Sequence, residues 1–319
     1  MELRTRYGKL LGCVNVEYDA GNRIKGCCFE EENKIFLECA TLVPQYGEET
    51  VRKKFIQTVS FYLSGALRRI ALEQQTEVIT PIGEFPAELL TFYEYGAIKR
   101  IFPLNGKLTG YWSEQDEAKL AFPFHFEFEF GSFFAKIISV HFYQSGEIQS
   151  ITLFPSEVIT LQTPVGKMPV RTGFSLYKSG ALKSVEPAQS FVTATRIGKV
   201  MAFDAGAIGV HADNNSMEFS LSGAVTKMVT SSDKIIIQSE GASLASVAPI
   251  IKPSPLDENE FVTIPVKIRF EGDTVVLSNE EDYSYSLSTS AFTVIQNPIA
   301  TCSSCSDCSI CGICEKANN

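Results

Sequence analysis

Histidine and tryptophan are scarce in this chain. It has three histidines, His125, His141 and His211, and one tryptophan, Trp112. It contains no Gly-x4-Gly-Lys-Ser/Thr phosphate loop, no Gly-x-Gly-x-x-Gly dinucleotide turn and no Gly-x-Ser-x-Gly nucleophile signature. These absences remove the commonest phosphate-, dinucleotide- and serine-hydrolase readings. No apolar run approaches the ~20 residues of a bilayer-spanning helix, so no membrane span is expected. Met1-Glu2-Leu3-Arg4-Thr5-Arg6-Tyr7 lacks the continuous apolar core of a signal peptide, and the expected location is cytoplasmic. Basic residues form no patch along the sequence. With 28 Lys and Arg against 37 Asp and Glu, the net charge is −9. General nucleic-acid binding is not expected from such a chain, nor is attraction to anionic membranes. The acidic surplus keeps the protein soluble.

Apolar material is ample. Hydrophobic residues make up 45% of the chain and charged residues 20%, as in soluble globular proteins. Phe is the dominant aromatic, with 23 residues, and this composition favours pleated surfaces.

A recurring phrase organises this material. Phe92-Tyr93-Glu94-Tyr95-Gly96-Ala97-Ile98-Lys99-Arg100 ends one apolar run, turns at glycine and opens the next. It returns as Phe61-Tyr62-Leu63-Ser64-Gly65-Ala66-Leu67-Arg68, Phe142-Tyr143-Gln144-Ser145-Gly146-Glu147-Ile148 and Leu176-Tyr177-Lys178-Ser179-Gly180-Ala181-Leu182-Lys183. Fainter copies lie at residues 18–24, 203–208 and 219–225. A second phrase alternates with the first. Thr80-Pro81-Ile82-Gly83 matches Thr163-Pro164-Val165-Gly166, with relatives at Thr5-Arg6-Tyr7-Gly8 and Thr195-Arg196-Ile197-Gly198. Both read as hairpin turns, and internal duplication is the simplest account. If each Tyr-x-x-Gly loop is the residue before glycine plus the glycine, the aromatic residue three places before glycine faces the aliphatic residue two places after it. Such a cross-strand pair contributes roughly 0.2–1 kcal/mol. Isolated hairpins are marginal, so the copies are expected to stack edge to edge.

Elsewhere, Phe122, Phe124, Phe126, Phe128 and Phe130 alternate with polar residues, the pattern of a strand with one aromatic face. Residues 51–61 alternate imperfectly and read as strand, with a short helix over residues 48–58 as the alternative. After Ile237 the glycine phrase fades, and Pro249, Pro253 and Pro255 mark a connection. The expected organisation is all-β: an antiparallel sheet of stacked hairpins over residues 1–240, a β cap or small extra sheet over 241–299, and a cysteine-rich tail over 300–319.

The stretch Tyr93-Glu94-Tyr95-Gly96-Ala97-Ile98-Lys99-Arg100, continuing to Leu104-Asn105-Gly106-Lys107-Leu108-Thr109-Gly110-Tyr111-Trp112, resembles MORN-type repeats. It is most similar to the Tyr-x-x-Gly-x-Leu-Lys variant of certain bacterial antitoxin-like proteins. The resemblance extends in pieces over residues 1–230. It implies an elongated antiparallel sheet of hairpins that serves as an interaction surface for a protein partner, and it implies no catalytic residues.

Chemistry, if any, is expected at the end of the chain. Cys302, Cys305, Cys308, Cys311 and Cys314 recur at every third position amid Ser, Gly and Asp. This run resembles that of bacterial ferredoxins, but every gap is two, a fifth cysteine is present, no proline follows and there is no second run. A 4Fe–4S cluster, a tetrahedral zinc site and a metal-free, redox-active or flexible thiol tail are all open readings. Cys13, Cys27, Cys28 and Cys39 read as buried structural thiols, with a second metal site as the alternative. Two further function classes stay open beside an interaction module with a metal-binding tail. One is a β-repeat enzyme with scattered acids in a groove, for which His211-Ala212-Asp213 offers an acid–base pair. The other is a purely structural protein with an inert tail.

Overall fold

The computed structural model describes residues 1–53, 57–207, 209, 211–239, 244–254 and 260–296. The described residues are mostly strand, with one short helix, Glu114–Leu120. Sixteen strands form one sheet, and all its pairings are antiparallel. Fifteen follow one another across it in chain order, from Cys13–Tyr18 and Ile24–Phe29 at one edge to Thr274–Ser278 and Asp282–Ser286 at the other. The sixteenth, Ile159–Thr163, pairs with the first half of Gly166–Leu176. Val266–Glu271 pairs with Val225–Thr230, so strands on both sides of residue 240 share this sheet.

The glycine phrases build the hairpins, with a loop one residue longer than the sequence count assumed. Gly65 N donates to Tyr62 O at 2.9 Å, and Tyr62 N donates to Ala66 O at 2.8 Å. The same two bonds close the turns that begin at Tyr93, Tyr143, Tyr177 and Ser220. Each is a four-residue turn whose last residue is a left-handed glycine, as at Gly96 with φ +95°. The aliphatic residue therefore faces the residue before the tyrosine, not the tyrosine itself. The pairs are Phe61–Leu67, Phe92–Ile98, Phe142–Ile148, Leu176–Leu182 and Phe219–Val225.

The tyrosine does something else. Tyr62 Oη donates to Phe92 O at 2.7 Å, and Tyr93, Tyr143 and Tyr177 donate likewise to Phe142, Leu176 and Phe219 at 2.8 Å. Each phenol thus reaches into the next hairpin and ties its turn. The sixth copy along the chain, beginning at Phe203, forms no hairpin of the sheet. Phe203 bridges Thr230 in parallel, and the chain then leaves the meander.

A bulge recurs just beyond each turn. Lys25, Arg68, Lys99, Gln149, Lys183 and Thr226 are the extra residues, each skipped by the register of its hairpin. At such a bulge two residues of one strand stand opposite one of its partner. The bulged cation lies over the tyrosine of its own turn at Arg68–Tyr62, Lys99–Tyr93 and Lys183–Tyr177, 5.5–6.0 Å from the ring centroid.

The inner face of the sheet is apolar. Val59, Ile70, Leu90, Ile101, Val140, Ile151, Phe174 and Val185 are neighbours in register, and all are buried. The Thr-x-x-Gly hairpins supply the covering layer, and Leu3, Leu10, Val78, Phe85, Leu161, Met168, Ile197 and Val200 join the same core. At Thr5, Thr80, Thr163 and Thr195 the hydroxyl donates to the glycine carbonyl and accepts from the amide two residues on.

The phenylalanine strand is Phe124–Phe128. Phe126 is buried, Phe128, Phe130 and Phe133 meet the Phe174 ring edge-on, and Phe122 stays exposed ahead of the strand. Of residues 51–61 only Val59–Phe61 is assigned as strand, with residues 54–56 outside the described set. The helix was not anticipated. Its signal is Ser113-x-x-Asp116, a reciprocal cap at its first turn.

Tyr93→Phe removes one phenol tie and leaves the Phe142 carbonyl without that donor. The expected cost is about 1–2 kcal/mol in urea unfolding, with the strand content seen by circular dichroism unchanged.

Candidate functional site

The outer face of the sheet carries a continuous polar row. In register across successive strands stand Glu17, Gly26, Ser60, Arg69, Thr91, Arg100, His141, Ser150, Ser175, Ser184, Glu218, Lys227 and Arg269. The alternation of a strand puts this row opposite the apolar one.

A strap, formed by the described residues 203–207, 209 and 211–216, crosses the middle of the row and satisfies much of it. Ala212 N donates to Thr152 Oγ1 at 3.1 Å, and Asn215 Nδ2 donates to Ser184 Oγ at 2.7 Å. Ser216 N and Oγ donate to the buried Glu186 carboxylate at 2.8 and 2.7 Å. Burial raises the Glu186 carboxyl above its ordinary range despite these bonds. The strap sits close because Gly173 has no side chain. A Cβ there would lie 1.9 Å from Ile151 O and 2.9 Å from Ala212 Cβ, and its φ of +129° also disfavours other residues.

Asp213 is the strap's central anchor. It pairs with Arg100 Nη2, accepts from Ser150 Oγ at 2.5 Å and lies 3.0 Å from His141 Nδ1. Burial opposes its ionisation, but the bonds from His141 and Ser150 and the positive charge of Arg100 outweigh this. The carboxyl is held well below its ordinary range.

This arrangement closes an electrostatic anchor rather than a catalytic relay. The Ser150 proton is directed to Asp213, not to a histidine, and Ser150 is 1% exposed. Among the described residues His141 Nε2 is buried without a hydrogen-bond partner. The expected His211–Asp213 pair is loose, at 3.8 Å, and His211 is largely exposed. His125 stacks on exposed Phe134, with centroids 4.5 Å apart.

Beside the strap lies a groove of about 600 Å³. Lys25, Arg68, Arg69, Lys99 and Arg100 line it, against the carboxylates of Glu17 and Asp213. The concentration of cations follows from the bulge: Lys25, Arg68 and Lys99 are bulge residues, while Arg69 and Arg100 directly follow two of them in the polar row. These bases form no cluster along the sequence. The signal was present in the base that follows Leu67 and Ile98 in the recurring phrase.

The five tail cysteines, Cys302, Cys305, Cys308, Cys311 and Cys314, lie outside the described residues. Cys13, Cys27 and Cys28 are buried free thiols, and Cys39 is half-buried. Burial pushes the thiols of Cys13, Cys27 and Cys39 up, which makes them poor nucleophiles. Among the described residues no group of three or more His, Cys, Asp or Glu is arranged to hold a metal ion. No described helix is long and apolar enough to cross a membrane.

Asp213→Asn is expected to cost about 2 kcal/mol at neutral pH, read by urea unfolding, because Arg100 loses its counter-charge. Asp213 ionises more readily folded than unfolded. Its contribution is therefore full above the ordinary value of 3.8 and is lost as pH falls below it, so the gap between wild type and variant closes in acid. Comparison with known protein families, curated proteins and solved structures finds no match, so the reading of this face rests on its geometry.

Proposed function

We propose that this chain is a cytoplasmic interaction module of MORN-like β-hairpins that docks a protein partner on the outer face of its sheet, in the groove beside the strap. One observation carries the reading. A protein of net charge −9 gathers five cations in a single groove with two carboxylates, one of which is already engaged by Arg100 and His141. Among the described residues no salt bridge engages Lys25, Arg68, Arg69 or Lys99. An unneutralised cationic groove on an acidic protein steers an acidic segment to one place, while the overall charge repels extended polyanions. The enzyme alternative has less support, since the closely set His141, Ser150 and Asp213 are consumed in anchoring the strap.

The tail adds a second element to the proposal. Cys302, Cys305, Cys308, Cys311 and Cys314 would supply the thiolates for a metal, with a 4Fe–4S cluster preferred and zinc as the alternative. The support is their even spacing among small residues.

Two outcomes are expected. A Lys25→Glu, Lys99→Glu double variant with unchanged unfolding temperature should recover roughly tenfold less of the wild-type partner in quantitative cross-linking from cytoplasmic extract, and equal recovery removes the docking reading. Anaerobic purification followed by iron, sulfide and zinc analysis should find metal in the full chain and lose it when residues 300–319 are deleted. Metal-free protein with free tail thiols refutes the tail assignment.

A further inference from the structure

Among the described residues the partly buried arginines are of two kinds. Arg52 and Arg100 are paired with carboxylates, whereas Arg69 and Arg171 are not. Arg171 lies under the strap, its Nη2 donating to Asp204 O at 2.7 Å and its guanidinium over the Phe203 ring. The half-buried Arg52 lies between two carboxylates. Its guanidinium donates to Glu88 at 2.6 and 3.0 Å and to Glu117 at 2.8 and 2.9 Å. Arg100 has Asp213. Arg69 is likewise partly buried and lines the groove, yet Nη1 donates only to a main-chain carbonyl, Gln57 O, at 2.8 Å. Among the described residues no carboxylate is paired with it. Burial weakens its hold on the proton, the consequence of desolvation without a counter-charge. A planar fork of donors held in this way is suited to an anion from outside the chain.

The surroundings specify the anion. Arg68, Lys99 and Lys25 reach the same groove, and Ser60 and Thr91 flank Arg69 in the register of the polar row. Several cations and hydroxyls about one guanidinium favour a compact, multiply charged group with several acceptor oxygens over a single carboxylate. The groove is also long. It draws residues from seven neighbouring strands, from Glu17 to His141, a span of about 29 Å at the usual interstrand spacing. An extended segment of about eight to nine residues covers that distance.

We infer that the groove holds a phosphorylated segment of a protein partner, with Arg69 as the principal ligand of the phosphate and Arg68, Lys99 and Lys25 around it. This rests on the reading of the outer face as a docking surface and adds the chemistry that is recognised.

The full chain is titrated with a degenerate eight-residue peptide library carrying a central phosphoserine, with the same library unphosphorylated, and with one carrying glutamate at that position. The phosphoserine library is expected to bind roughly tenfold more tightly than either of the others. Arg69→Gln should remove most of that preference, Arg69→Lys should keep part of it, and Lys119→Gln, on the helix, should leave it intact. Should Arg69→Gln fail to fold, Lys25→Gln with Lys99→Gln carries the same test. Equal binding of the phosphoserine and glutamate libraries overturns the phosphate assignment while leaving docking of an acidic segment in place. Tighter binding of an oligonucleotide or of phosphatidylserine vesicles than of the phosphoserine library overturns it as well. If no library binds and the Lys25→Glu, Lys99→Glu variant still captures the partner, both readings fall.

Discussion

The sheet depends on how one hairpin is joined to the next. Within a hairpin the turn fixes register, but between hairpins most ladders are short, the long one between Leu67–Thr80 and Gly83–Phe92 being closed by its own Thr-x-x-Gly turn. Arg100–His141 and Ile101–Val140 are the only residue pairs joining Ile98–Phe102 to Ile137–Phe142. Ser184–Glu218 and Val185–Met217 play the same part further along. Two pairs are little with which to hold an open sheet against slipping, and a slip of one residue would carry the apolar row to the outer face. The tyrosine phenols act at these junctions. Each ties its own turn to the carbonyl that begins the next, so the register set locally by one glycine turn passes to its neighbour.

The same turn generates the chemistry of the outer face. A left-handed glycine ends the loop, the strand that follows accommodates an extra residue, and the extra residue is often basic. The bulged base lies over the tyrosine that ties the junction, so one short phrase supplies a turn, a clamp and an outward charge. Cations therefore collect wherever successive copies carry them, as at Lys25, Arg68 and Lys99. They thin out where the bulged residue is Gln149 or Thr226. The groove is placed by the spelling of the copies rather than by any separate loop.

Much of this architecture was legible in the sequence because its determinants are local. Glycine at positive φ and aromatic–aliphatic alternation read directly as hairpins, and the all-β class followed. The exact pairing was displaced by one residue because the same glycine phrase is compatible with a two-residue loop and with the longer turn that closes on glycine. The tyrosine ties were not legible. They join residues such as Tyr93 and Phe142, whose separation along the chain carries no pattern. The groove was hidden for the same reason: Lys25, Arg69 and Arg100 are unremarkable in the chain and become neighbours only through cross-strand register. The tail was legible only as a candidate ligand spacing, which says nothing of its placement.

The copy that failed to become a hairpin marks the region where the proposed docking groove lies. Phe203 begins the familiar phrase, yet the chain departs over the polar row. It is held there by contacts no hairpin copy makes: Asp213 on Arg100 and Ser150, Asn215 on Ser184, and Ala212 over Gly173. A sheet that left this row bare would expose Ser150, Ser175 and Ser184 along an even polar face with no recess. Covering its centre divides the face and gives the groove a wall, with Asp213 at its border. The anchor also consumes Arg100, which leaves Arg69 as the partly buried guanidinium of the groove without a carboxylate among the described residues, beside the exposed Arg68. A departure from an otherwise consistent local rule thus produces both the boundary of the groove and the unpaired charge within it.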